Sequence, residues 1–205
     1  MNGEWLPESD FEKRMWEAQQ IIYSLADRRD SEDPEVQERL AYAALEVCRN
    51  CADAYVTLGA LAEEYEEDLE RARELYENGV AAGERAIKRL LGPAVFKEYK
   101  GAFYGVLETR PYVRARGNLA ITLYELGEVK AAEEHAREVL RLNDMDNLGL
   151  RYSLAQWLYE QDRTEDLEKH LRKYHAFSRD DFKQDAGFER EVPHVLPDRY
   201  WRNRR

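Results

Sequence analysis

The chain opens with apolar residues that recur at steps of three and four, the spacing that places them on one face of an α-helix. The members of this first stripe are Phe11, Met15, Ala18, Ile22 and Leu25. A second stripe follows a polar break, in which Asp33 is placed to cap a helix and Pro34 to occupy its first turn. The pattern predicts a pair of amphipathic helices between residues 8 and 50.

Similar stripes continue along the chain and predict helices over about 52–65, 69–91, 129–142, 148–161 and 164–174. Gly92 and Pro93 end one helix and open a further, inserted helix over 93–108. No window alternates apolar and polar residues at period two, as a half-buried strand does. The sequence therefore predicts an all-α repeat domain over 1–178, followed by an extended tail over 179–205.

One segment, residues 118–143, has the spacing of a helical repeat. Ala120 and Ala132 are small enough for two antiparallel helices to approach closely, and Gly127 provides the tight turn between them. The other apolar positions of the pattern are Leu119, Leu123, Ala136 and Leu140. The segment resembles a tetratricopeptide repeat (TPR), a helix–turn–helix unit of about 34 residues. The resemblance implies a right-handed superhelical array of antiparallel helix pairs, an α-solenoid.

Two neighbouring segments repeat this pattern less completely, so we expect repeats at about 52–91, 113–146 and 148–176. In the last of these, Asp162 stands where the turn glycine would be. The last two copies are about 35 positions apart, close to the usual TPR period. The first two are 61 positions apart because the inserted segment lies between them.

Two short sequence motifs indicate a particular subfamily of TPR proteins. These are Glu-Thr-Arg-Pro-Tyr at residues 108–112 and Asp-Asn-Leu-Gly-Leu-Arg-Tyr at residues 146–152. Both are similar to strings that open repeats in a TPR subfamily of many uncharacterised bacterial proteins and the suppression-of-tumorigenicity-seven proteins of animals. That subfamily usually has a proline after the asparagine that precedes the second string, and Asp144 replaces it here. The resemblance implies an interaction role and no established chemistry.

The charge of the chain restricts its partners. It has 31 Lys and Arg against 42 Asp and Glu, a net charge of −11, which disfavours non-specific binding to nucleic acid or anionic membrane. Residues 1–91 contain 22 acidic and 11 basic side chains and so account for the whole excess. The sequence has no apolar run long enough to span a bilayer and no signal-peptide pattern, so we expect a cytoplasmic location.

The sequence carries no motif that predicts catalysis. It lacks a glycine-rich phosphate loop of either common spacing, a nucleophile elbow and a His-Glu-x-x-His motif. Cys48 and Cys51 have the spacing of half a zinc site or a redox pair, but no histidine pair completes it. We expect these cysteines to be small residues at a helix junction. The prediction is a non-enzymatic protein without cofactor or metal.

Three arginines lie near helix starts, where the positive end of the helix dipole favours acids. Arg110 and Arg114 belong to the helix that Pro111 opens, and Arg151 begins a later one, roughly beside Arg114 if the repeats stack. One interpretation is a basic spot in a concave groove that receives an acidic side chain or a chain terminus. The other is that Glu108, or another buried acid, pairs with these arginines and fixes the repeat junction.

The TPR resemblance also implies a concave wall built by the first helix of each pair. On this sequence the predicted groove residues are Arg110, Arg114, Asn118, Tyr124, Arg151, Tyr152, Gln156 and Tyr159. Tyrosine rings provide contact area at low entropy cost, and amides can hydrogen bond a peptide backbone. We therefore predict a protein–protein interaction module or adaptor that binds a peptide or helix.

The C-terminal tail supports a second hypothesis. Tyr200, Trp201 and Arg202 have the composition of interface anchors, and four of the last seven residues are arginines. The tail could cap its own repeats, or it could meet the acidic N-terminal part of another copy. In the latter case the chain would be a homo-oligomeric structural protein.

Overall fold

A computed structural model of the chain describes residues 9–174, and their regular structure is helical. The α-helices in these residues are α1 Asp10–Tyr23, α2 Pro34–Val47, α3 Ala52–Glu64, α4 Leu69–Leu91, α5 Val95–Glu98, α6 Arg110–Glu125, α7 Val129–Leu142, α8 Leu150–Glu160 and α9 Thr164–Lys173. Between residues 9 and 174 there is no β-strand, only one isolated bridge between Ala102 and Asn143. The predicted all-α class is confirmed. The tail anchors Tyr200, Trp201 and Arg202 lie outside the described residues.

Side-chain caps fix the starts of several helices, because the first N–H groups of a helix have no partner within it. At α1, Ser9 and Glu12 form a reciprocal capping box. At α2, Asp33 accepts a hydrogen bond from the N–H of Glu35 at 2.9 Å, and Pro34 occupies the first turn as predicted. Asp68 caps α4 in the same way. The polar breaks in the sequence are therefore helix starts.

The chain divides into two compact units, with the boundary between Met145 and Asp146. In the first unit the helices pack as consecutive pairs, α1 with α2, α3 with α4, and α6 with α7. Each pair also contacts the next, because α2 packs on α3 and α4 packs on α6. In addition, α1 contacts α3, and α3 contacts α6. The second unit contains the pair α8 and α9.

Residues 93–108 do not form the single helix that the sequence predicts. Helix α5 is one turn long, and two short 3₁₀ turns follow at Phe103–Gly105 and Leu107–Thr109. Gly101, three residues after the end of α5, adopts φ of +87°, a left-handed conformation that does not continue a helix. Its carbonyl accepts a hydrogen bond from the N–H of Asp144 at 2.9 Å. This long-range contact, which a continuous helix could not make, explains the difference.

The turns within two helix pairs have the same geometry. Gly127, between α6 and α7, adopts φ of +80°, and Asp162, between α8 and α9, adopts φ of +56°. In each turn the N–H of the following residue donates to a carbonyl five positions earlier. The two bonds run from Glu128 to Leu123 and from Arg163 to Leu158. This is the Schellman helix ending. Asp162 therefore replaces the expected glycine without changing the turn.

The length and apolar character of a helix decide whether it can cross a membrane. Within residues 9–174, no helix has the length and apolar character needed to cross a membrane.

Candidate functional site

The first helices of the pairs in the first unit are joined by a buried carboxylate. Asp53, in the first turn of α3, is 4% exposed and follows the buried Cys51 and Ala52. Arg114 on α6 donates two hydrogen bonds to it, from Nε to Oδ1 at 2.8 Å and from Nη2 to Oδ2 at 2.5 Å. From α1, Gln19 donates its side-chain amide to Oδ2 at 2.7 Å. One carboxylate thus connects α1, α3 and α6.

The electrostatics of this pair keep Arg114 charged. Burial by itself lowers the pKa of the Arg114 guanidinium, but the hydrogen bonds and charge of Asp53 raise it, and the net pKa lies above its ordinary value. The side chain of Arg114 is 27% exposed, so part of it reaches the surface. Glu108, the acid suggested as a partner by the sequence, is exposed. The internal acid that pairs with Arg114 is Asp53.

The other predicted groove residues of the first unit also lie on α6. Arg110 donates from Nε to the backbone carbonyl of Tyr104 at 2.8 Å, and its guanidinium lies 5.2 Å from the centre of the Tyr104 ring. Asn118 and Tyr124 are half-buried. Arg110 is therefore a local support for the segment before α6, whereas Asn118 and Tyr124 keep part of their surface accessible.

A second connection joins α3 and α6 further along the two helices. Glu63 accepts hydrogen bonds from the hydroxyl of Thr122 at 2.5 Å and from the hydroxyl of Tyr76 on α4 at 3.0 Å. Thr122 is buried, and its hydroxyl oxygen also lies 3.0 Å from the carbonyl of Asn118, with which Glu63 shares the single hydroxyl hydrogen. The helices α3 and α6 are thus held at one end by Asp53 and at the other by Glu63.

Helix α1 adds exposed aromatic side chains to the same region. Trp16 and Tyr23 are 50% and 43% exposed. They are seven residues apart and flank Gln19 in sequence, so the three side chains lie on one side of the helix. The hydroxyl of Tyr23 is close enough to raise the pKa of Arg114. The polar contact between α1, α3 and α6 is therefore bordered by aromatic surface.

In the second unit, Arg151 has an acid partner of its own. The carboxylate of Asp146 accepts hydrogen bonds from the N–H groups of Leu150 and Arg151, at 2.9 and 3.0 Å, and so caps α8. The guanidinium of Arg151 lies 3.6 Å from that carboxylate and over the ring of Tyr152. The Asp-Asn-Leu-Gly-Leu-Arg-Tyr string is therefore a helix-start motif in which the arginine contacts both the acid and the tyrosine.

The remaining predicted groove residues of the second unit are on α8. Gln156 donates its side-chain amide to Glu160 at 2.7 Å, Tyr152 is buried, and Tyr159 is half-buried. His170 on α9 lies 2.7 Å from the backbone carbonyl of Arg151. The eight predicted groove residues are thus divided equally between the two units.

The cysteine pair lies where the sequence suggested. Cys48 and Cys51 are free and buried at the junction of α2 and α3, and Cys48 Sγ is 3.2 Å from the sulfur of Met15. Burial raises the pKa of the Cys51 thiol to about 12. In residues 9–174, no group of three or more His, Cys, Asp or Glu side chains could hold a metal ion.

The sequence did not reveal the two acids that pair with the predicted groove arginines, Asp53 and Asp146. The sequence pattern did not identify Asp53 as the partner of Arg114, and it placed Asp146 only in a string that opens a repeat. The signal for Asp53 is its place between Ala52 and Ala54 in an apolar run, where an acid that becomes buried needs a hydrogen-bonding partner. The identity of that partner, far away in sequence, could not be read from the pattern.

Comparison with known proteins adds no relative to this description. No family model matches the chain, and neither the curated proteins nor the solved structures give a match.

Proposed function

We propose that the chain is a non-enzymatic interaction module of the TPR type. In this proposal α1, α3 and α6 form an inner wall that binds a peptide or helix of a partner protein. The observation that carries it is the packing of these three helices: α1 contacts α3 and α3 contacts α6, while α2 and α4 pack between successive pairs. Contacts of this kind, restricted to neighbouring pairs, are expected in an α-solenoid.

The shared turn geometry supports a repeat origin for the pairs. The α6–α7 and α8–α9 turns both end in a Schellman motif, with Gly127 and Asp162 at equivalent places. Ala120 and Ala132, the small residues on which the TPR resemblance depends, are fully buried. The equivalent turns of the two pairs and the close approach of α6 and α7 at these alanines are both expected of TPR-type helix pairs.

The chemistry of the wall favours recognition by rings and uncharged hydrogen bonds. Arg114 is neutralised by Asp53, so a partner carboxylate would have to compete with a buried one. The accessible groups of the wall in the first unit are the rings of Trp16, Tyr23 and Tyr124 and the amide of Asn118. Rings provide rigid contact area, and an amide can satisfy a peptide N–H or carbonyl.

The test is capture from the native host with variants of the full-length chain. Trp16→Ala and Tyr23→Ala remove exposed rings of the wall, so both should fold normally by circular dichroism. We expect a protein captured by the wild type to fall at least tenfold in abundance with each variant, as measured by quantitative mass spectrometry. Tyr99→Ala is the matched control, because Tyr99 is an exposed tyrosine outside α1, α3 and α6.

The captured protein should also bind this chain directly. A purified segment of it should bind the wild type and lose affinity with Tyr23→Ala but not with Tyr99→Ala. Equal capture by all variants would show that the wall is not the binding surface.

A further inference from the structure

A group of aromatic and guanidinium side chains lies at the proposed wall, on α1, α6 and the segment before α6. On α1, Trp16 and Tyr23 are 50% and 43% exposed. Tyr23 and the half-buried Tyr104, which precedes α6, both lie within electrostatic range of the Arg114 guanidinium. The guanidinium of Arg110 lies 5.2 Å from the centre of the Tyr104 ring. We call these five side chains the ring patch.

The polar groups of the ring patch are mainly hydrogen-bond donors. The indole N–H of Trp16 and the guanidinium groups of Arg110 and Arg114 can only donate, whereas tyrosine hydroxyls donate as well as accept. The carboxylate that contacts the patch, Asp53, is 4% exposed and is already bound by Arg114 and Gln19. A segment that offers carbonyl oxygens and few N–H groups is therefore complementary to this surface.

A proline-rich segment has this chemistry. Proline lacks a backbone N–H, and in the polyproline II helix the carbonyl groups have no partner within the helix. An α-helical partner would use its carbonyls internally, and an extended strand would bring N–H groups that need acceptors. Proline rings also fit grooves lined by aromatic side chains. An acidic segment is disfavoured, because residues 1–91 have 22 acidic and 11 basic side chains.

The spacing of the exposed rings on α1 fits the same kind of segment. Trp16 and Tyr23 are seven residues apart, which is about 20° short of two full turns, so their side chains leave the helix in nearly the same direction. At 1.5 Å per residue, their α-carbons are about 10.5 Å apart along the helix axis. The polyproline II helix repeats every three residues, or about 9.3 Å. Two prolines three residues apart can therefore each lie against one of these rings.

We propose that the ring patch binds a proline-rich segment of a partner protein in the polyproline II conformation. Two prolines, three residues apart, lie against Trp16 and Tyr23, and carbonyl oxygens of the segment accept hydrogen bonds from the Trp16 indole and the Arg114 guanidinium. This inference rests on the proposed function, since it names the class of segment that the wall binds.

Fluorescence polarisation with the purified full-length chain tests this inference. The probe is labelled decaproline, which spans about 31 Å as a polyproline II helix. We expect it to bind at least tenfold more tightly than a labelled glycine–serine decapeptide. Trp16→Ala and Tyr23→Ala should each weaken decaproline binding at least fivefold, with folding checked by circular dichroism. Trp16→Phe keeps a ring but removes the indole N–H, so its affinity should lie between those of the wild type and Trp16→Ala.

Tyr99→Ala is the matched control, because Tyr99 is an exposed tyrosine outside the ring patch, and it should change the affinity less than twofold. Equal affinity for decaproline and the glycine–serine peptide would overturn the inference. So would equal losses with Tyr99→Ala and Trp16→Ala, or tighter binding of decaglutamate or an amphipathic helical peptide.

The outcome is distinguishable from failure of the proposed function. If capture from the host depends on Trp16 and Tyr23 but decaproline does not bind, the proposed function stands and the proline-rich segment is wrong. If decaproline binding depends on these rings but capture does not, the proposed function alone is wrong.

Discussion

Arg114 and Asp53 form a two-point ion pair between α6 and α3, with the carboxylate almost completely buried. The basic spot that the sequence suggested as a receptor for a partner's acid is thus occupied by an acid of the same unit. Because Gln19 of α1 shares this carboxylate, the pair is a joint between three helices. Its role is to set the spacing of the proposed wall.

This joint predicts a non-additive effect on stability. Arg114→Leu leaves Asp53 buried without its cation, so we expect the free energy of unfolding to fall by about 3 kcal/mol. The double variant Asp53→Ala/Arg114→Leu should lose clearly less than the sum of the two single variants. Urea denaturation measures all three. Arg141→Leu, which breaks an exposed pair with Glu138, is the control and should cost less than about 1 kcal/mol. A purely additive result would show that Asp53 and Arg114 are not energetically coupled.

The two Schellman turns predict opposite effects of exchanging their residues. Gly127→Ala places a side chain in a left-handed conformation and should lower the stability by about 1 kcal/mol. No atom lies within 4 Å of the added carbon, so any loss reflects the backbone alone. Asp162→Gly relieves the same conformation and should raise the stability by up to about 1 kcal/mol. Thermal denaturation measures whether each variant gains or loses stability. A change in the same direction for both variants would show that the two turns are not equivalent.

His135 on α7 predicts a dependence of stability on pH. Burial, with a contribution from the charge of Arg116, lowers its pKa from 6.5 to about 4. Below pH 6.5 the unfolded chain binds a proton that the folded chain does not, so folding stability falls as the pH drops from about 6.5 to 4. The loss should be about 1 kcal/mol, because solvent screens this partly exposed side chain.

The test of this effect is the difference between wild type and His135→Gln in urea denaturation at pH 7 and pH 4.5. The variant lacks the titrating group, so its stability should fall less over this interval. Identical pH dependence in both proteins would show that the His135 pKa is not lowered.

Cys51 predicts a thiol that is inert while the protein is folded. With a pKa near 12, only a minute fraction of it is thiolate at pH 8, and the thiolate is the reactive form. In a Cys48→Ala variant, labelling of Cys51 by an aromatic disulfide reagent should be at least a hundredfold slower in buffer than in 6 M guanidinium, a concentration that unfolds most domains. Rapid labelling of the folded protein would restore the redox interpretation of the pair.

The helices could be predicted closely because their signals are local. The cap at Asp33, the proline at 111 and the glycine at 127 each act within one turn, and α7 occupies the predicted residues 129–142. The inserted segment could not be predicted in this way. Helix α5 ends at Glu98, and Gly101 just after it contacts Asp144 through a backbone hydrogen bond about which apolar periodicity carries no information.

The candidate site was predictable in its residues but not in their pairing. Helical periodicity places Arg114 and Asp53 on helices α6 and α3, yet their contact depends on how α3 and α6 pack. Arg151 differs, because its partner Asp146 is only five residues away and belongs to the same motif. Local motifs thus reveal local partners, whereas the partner of a buried charge on another helix requires the fold.

The bridge between Ala102 and Asn143, with the neighbouring contact of Gly101 and Asp144, brings the entry and exit of the α6–α7 hairpin to one place. A hairpin whose two ends meet can be duplicated or removed as a block, since the flanking chain needs little rearrangement to close the gap. The backbone contacts of Gly101 and Ala102 with Asp144 and Asn143 therefore give this hairpin adjoining ends, so that the segment between them could be exchanged without a change in the path of the flanking chain.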